Sequence, residues 1–151
     1  MKRLIRMSLI LVVGGIASIV WAGPEEELVH VQQQRLQAYL DGNLDAYMAT
    51  WAENGVLTSS TPFRIEGKDA IRAYWAEQLE AFPTRRLVIH HSSTRIYHGT
   101  TAVVNRYYIV TLADRTGKVV TRHGRDSFTW VKLGGRWLVV DQHSSPLPAS
   151  P

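Results

Sequence analysis

Four long runs of β-branched and aromatic residues follow one another in the second half of the chain, each closed by a turn signal. Residues 87–97 end at His98-Gly99, and residues 101–112 end at Asp114-Arg115-Thr116-Gly117. Residues 119–131 lead to Gly134-Gly135, and 137–142 precede a proline-rich tail at 146–151 that cannot pair as a central strand. Connections this short join consecutive strands as antiparallel hairpins, so the half must form a meander.

The first half has a different period. Leu28, Val31, Leu36, Tyr39 and Leu40 fall near helical spacing behind Glu25, Glu26 and Glu27, whose charges suit a helix N-terminus. Asp41-Gly42-Asn43 ends that helix, and Asn43 can cap a second one carrying Leu44, Tyr47, Met48 and Trp51 at i, i+3, i+4 and i+7. Residues 56–59 read as a short strand. A third helix opens near Lys68, presents Ile71, Tyr74, Trp75, Leu79 and Phe82 on one stripe, and stops at Pro83. Three helices followed by long hairpins predict an α+β fold, with the helices packed on one face of a strongly curved antiparallel sheet. Such a sheet encloses a conical pocket.

Composition removes several function classes. The 151 residues include no cysteine, which excludes disulfides, thiolate metal sites and a cysteine nucleophile. The net charge of +4 rests largely on Lys2, Arg3 and Arg6. Without them 14 basic residues face 13 acidic ones, so no nucleic-acid partner is expected. Those three cations precede an apolar run, and Val20-Trp21-Ala22 follows with small residues at the cleavage positions. This is the layout of a secretory signal peptide at 1–22, in a run shorter than the roughly 20 residues a spanning helix needs. The expectation is a periplasmic or secreted single domain at 23–151, starting at Gly23 and free of the membrane after cleavage.

Three segments carry a family resemblance. Asp41 to Tyr47 and Ile65 to Ile71 resemble the helix entries of the nuclear transport factor 2-like superfamily, with its SnoaL-like and ketosteroid isomerase-like members. Gly124 to Trp130, Gly135 to Val140 and His143 to Pro146 are similar to the bacterial SgcJ/EcaC-type branch, which is like the calcium/calmodulin-dependent protein kinase II association domain. The resemblance covers roughly residues 25–148 and implies a cone-like fold, a deep pocket with polar residues, and assembly through the sheet face. It implies no kinase activity, and no glycine-rich phosphate loop is present. Kinase association domains carry a pocket arginine two positions beyond Arg106, where this chain has Tyr108.

Alternation along the second long strand puts Val104, Arg106, Tyr108 and Val110 on one face and Val103, Asn105, Tyr107 and Ile109 on the other. A guanidinium among such neighbours must be paired. Arg106 either lines the pocket or forms a structural pair with Asp126 or Asp141. Asp126 shares a face with Phe128 and Trp130, and Arg125 points away from it. Arg122 and His123 are expected to be solvated. His143 lies in phase with Trp137, Val139 and Asp141, which puts Asp141 and His143 at the mouth of the cavity.

Candidate ligand-binding residues are therefore Arg106, Tyr108, Trp51, Trp75 and His143, and candidate catalytic residues are His143, Asp141 and Asp126. His90 and His91 point to opposite faces, so no metal is expected, and nothing calls for a cofactor. Two function classes stand. One is a homodimeric or larger ligand-binding or assembly module, taking a small apolar or anionic molecule beside Arg106. The other is a cofactor-free isomerase, dehydratase or cyclase with a pocket Asp or His as base and Tyr108 or Arg106 as oxyanion donor. A pocket carboxylate free of arginine would favour the enzyme.

Overall fold

The computed structural model describes residues 23–59 and 61–148; the expected signal segment lies outside them. Helix α1 spans Pro24–Asp41, with proline in its first turn beside Glu25, Glu26 and Glu27. Gly42 ends it in the left-handed conformation (φ 72°), its N–H donating to Tyr39 O at 3.2 Å while Asn43 N–H reaches Ala38 O at 2.9 Å. Helix α2 is Leu44–Met48, capped by Asn43, whose side chain accepts from Ala46 N–H at 3.0 Å. Strands β1 (Trp51–Thr58) and β2 (Ile65–Glu66) precede helix α3 (Lys68–Ala81). The long strands are β3 (Thr84–Tyr97), β4 (Thr101–Ala113), β5 (Val119–Leu133) and β6 (Arg136–Pro146).

The α+β expectation and the meander stand: β3 to β6 pair consecutively and antiparallel in one curved sheet of order β2-β1-β6-β5-β4-β3. One pair differs from an all-antiparallel sheet. β1 runs parallel to β6, with Trp51 opposite Val139, so the sheet is mixed. The same pairing shortens α2. Trp51, expected on that helix, opens β1 instead, because Val139 N–H donates to Thr50 O at 2.8 Å and pulls the chain into the sheet.

The core lies between the helices and the inner sheet face. Trp51, Trp130, Leu28, Met48, Leu57, Ile71, Val104 and Val139 are its largest fully buried side chains. Burying each such side chain contributes about 1.5–3 kcal/mol. Arg35 of α1 is buried among them, 5% exposed. Among the described residues no helix is long and apolar enough to cross a membrane.

A candidate ligand pocket between the helices and the sheet

The inner face of the sheet and helices α1 and α3 enclose a cavity of about 170 Å³. Its base is built around Arg35. The Nη2 group donates to Tyr47 Oη at 2.8 Å and Gln142 Oε1 at 3.0 Å, and Nη1 donates to Thr50 Oγ1. Its guanidinium stacks on Tyr47, 4.0 Å from the ring centroid, and on Trp51 at 5.0 Å. All these partners are neutral, so burial dominates and lowers the pKa of Arg35 to about 10. Burial likewise pushes Tyr47 up to about 12.

Arg106 and Tyr108 share a face of β4, as alternation predicts, and both line the cavity. Arg106 Nη2 donates to Asp126 Oδ2 at 2.6 Å, and its guanidinium lies 4.4 Å from the Phe128 centroid. Asp126 Oδ1 accepts from Ser144 Oγ at 2.6 Å, and Ser144 Oγ accepts from Gln142 Nε2 at 3.1 Å. Because Gln142 presents its carbonyl to Arg35, its amide must donate toward Ser144. Hydrogen-bond polarity is thereby fixed from Arg35 through Gln142 and Ser144 to Asp126. Both Asp126 oxygens are engaged, and among the described residues Asp126 is the one carboxylate in the lining.

Aromatic rings make the remaining wall. Trp75 meets Tyr39, Tyr47 and Tyr74 edge-on at centroid distances of 5.8, 5.1 and 5.3 Å. Burial raises the pKa of Tyr39 and of Tyr108, Tyr108 also through the nearby Asp126 charge, so both phenols present neutral hydroxyls. At the rim, Arg85 donates to the carbonyls of Tyr39, Leu79 and Phe82, and Arg122 lies 5.8 Å from the Phe82 centroid. Arg122 and His123 are exposed, as expected, yet both border the opening.

Tyr108 crosses β5 where Gly124 leaves room. A Cβ at position 124 would stand 2.5 Å from the Tyr108 ring carbon and hydroxyl. Gly124→Val should therefore swing the phenol off the strand and obstruct the cavity. The expected result is a changed tyrosine near-ultraviolet dichroism, with far-ultraviolet dichroism kept.

Three sequence expectations are corrected by position. Asp141 and His143 are exposed on the outer sheet face, because Trp130 pairs with Val139 while Thr129 pairs with Asp141. Val140 is the extra residue of a β-bulge, which reverses the alternation and aims Gln142 and Ser144 inward in their place. Trp51 is fully buried beneath Arg35 and does not line the cavity. Arg106, Tyr108, Trp75 and Asp126 do line it, and Arg125 faces outward with its Nε donating to Ser145 Oγ at 3.0 Å. Sequence reasoning passed over Arg35, because Gln32-Gln33-Gln34-Arg35 reads as a solvated stretch. The available signal was its position seven residues after Leu28, on the same helix face. No group of three His, Cys, Asp or Glu residues able to hold a metal ion occurs among the described residues.

A curved sheet closed by helices over a polar-based pocket is the architecture of a nuclear transport factor 2-like protein. The chain belongs to the calcium/calmodulin-dependent protein kinase II association domain family, whose model matches residues 24–148. It is similar to a Xanthomonas campestris structure described as a candidate association domain of that kinase, with 25% identity and a TM-score of 0.74, over 86% of this chain and 95% of that one. The association domain of the C. elegans kinase matches at 22% identity and a TM-score of 0.63, covering 80% of this chain and 94% of its own. A Novosphingobium aromaticivorans structure described as a candidate scytalone dehydratase shares the fold at 13% identity and a TM-score of 0.75, covering 82% and 84%. No curated protein matches the chain.

Proposed function

We propose that this domain is an exported, self-associating module that binds a small anionic molecule with a flat apolar body. The observation that carries the reading is charge imbalance. Among the described residues four guanidiniums, Arg35, Arg85, Arg106 and Arg122, border the cavity, and Asp126 is the one carboxylate in its lining. A carboxylate ligand restores the balance, and a guanidinium binds it through charge-assisted hydrogen bonds. Trp75 and the tyrosines around it offer faces and edges to a ring. A cavity of roughly 150 Å³ accommodates benzene, so 170 Å³ suits a single ring.

Benzoate and benzyl alcohol, of similar shape and different charge, test this by isothermal titration. Benzoate is expected to bind and benzyl alcohol to bind about tenfold more weakly or less. Equal affinity for the two would remove the charge argument. The acid–base alternative is less well supported, because both Asp126 oxygens already accept hydrogen bonds.

Self-association is assigned to the outer sheet face. Val88 and Tyr107 are 38% and 45% exposed there, beside Val103 and Ile109. The matching family is named for association, and an open face of this composition is suited to a second copy. Export rests on the charge and apolar pattern of residues 1–22.

A further inference from the structure

We propose that the cavity takes a dianion, an aromatic ring with a carboxylate at each end, one held by Arg106 at the base and the other by Arg122 at the rim. The inference rests on the anion-binding reading above and adds to it the number and spacing of the charges. The four guanidiniums of the lining are not equally free to meet a ligand. Arg85 is already answered where it stands. Its Nε, Nη1 and Nη2 all donate to the carbonyls of Tyr39, Leu79 and Phe82, at the C-terminal ends of α1 and α3. Each helix end carries roughly half a negative charge, so the two together offset this cation.

Positive charge is left over in two separate places. At the base, Arg35 and Arg106 face the single carboxylate Asp126, which leaves one cation in excess. Arg35 is 5% exposed, with both Nη groups engaged by Tyr47, Thr50 and Gln142. Arg106 meets Asp126 through Nη2, and among the described residues its Nη1 has no hydrogen-bond partner. The base therefore offers its excess charge through Arg106. At the rim, Arg122 rests on the ring of Phe82, 5.8 Å from the centroid, and makes no ion pair among the described residues. A ligand with one carboxylate meets only one of these two cations.

The strand register sets the distance between them. Arg106 lies opposite Asp126, while Arg122 lies opposite Val110, four residues further along β4. Four residues of strand span about 13 Å. Arg106 leans on Phe128 at one end, and Arg122 on Phe82 at the other, so the guanidiniums do not converge. Between them stand Tyr108 and Gly124, neither of which carries a charge. A carboxylate held by charge-assisted hydrogen bonds sits about 4 Å from a guanidinium carbon. Taking that from both ends leaves about 5 Å or more between the two carboxyl carbons. On a single ring, the para arrangement reaches that separation and the ortho arrangement does not.

Isothermal titration with benzoate, terephthalate and phthalate near neutral pH tests this. Terephthalate is expected to bind about tenfold or more tightly than benzoate, and phthalate no more tightly than benzoate. Arg122→Gln, with its fold checked by far-ultraviolet dichroism, should bring benzoate and terephthalate to within about twofold of each other. Terephthalate no better than benzoate, or an Arg122→Gln variant that keeps the preference, would overturn the inference while leaving anion binding at the base intact. Phthalate as tight as terephthalate would also overturn it, since charge without spacing would then suffice. Binding of none of the three would overturn the anion-binding reading, and the inference with it.

Discussion

Arg106→Ala is expected to destabilise the protein by about 3–5 kcal/mol, a large share of the roughly 5–15 kcal/mol that holds a domain folded. The reason lies in what the substitution leaves behind. Asp126 is 8% exposed, and Arg106 is the cation bonded to it. Removing Arg106 strands that charge between Phe128 and the cavity, with Ser144 as its remaining side-chain donor. Adding Asp126→Asn removes the stranded charge, so the double variant should recover most of the lost stability. Thermal melting of the two single variants and the double one gives the coupling directly. The double variant is also expected to lose the benzoate binding proposed above, which would separate a ligand role of Arg106 from its structural one. If Arg106→Ala melts within a degree or two of the wild type, the ion pair is not what holds β4 to β5 here.

The second large effect is expected at Arg35, and it depends on the replacement. Arg35→Ala opens a cavity among Tyr47, Trp51 and Phe128 and removes the donor to Gln142 Oε1, with an expected cost of about 3 kcal/mol or more. Arg35→Met keeps most of the volume and removes a charge whose burial is unfavourable, the same desolvation that lowers the pKa of Arg35. Its cost should be smaller by about 1 kcal/mol or more. Urea titration of both variants measures the difference. Equal losses would mean that the hydrogen bonds to Tyr47, Thr50 and Gln142, rather than packing, are what Arg35 contributes.

Both predictions concern side chains whose legibility in the sequence was unequal. Arg106 and Tyr108 could be placed on one face of β4 from alternation alone, because β4 is regular along that stretch and period two is a property of any extended chain; that this face lines the cavity is seen in the structure. The shared face of Asp126, Phe128 and Trp130 was equally readable, and so was the choice of Asp126 as one partner for Arg106. Arg35 was not, since a helix pattern counts apolar positions and a buried cation looks like a solvated one. Its burial becomes understandable only when Tyr47 from α2 and Gln142 from β6 are seen around it.

The sequence by itself determined the order of the three helices and four long strands, the caps at Gly42 and Asn43, the stop at Pro83 and the hairpin turns, because each depends on residues adjacent along the chain; the short strand β2 exists only through its pairing with β1. Only the tertiary structure decided where β1 begins and which residues of β6 face inward. Trp51 belongs to a strand because Val139, distant in sequence, draws the chain alongside β6. Gln142 and Ser144 line the pocket, and Asp141 and His143 do not, because β5 and β6 pair with one residue to spare at Val140. A bulge is a mismatch between two strands, and neither strand's own alternation contains it.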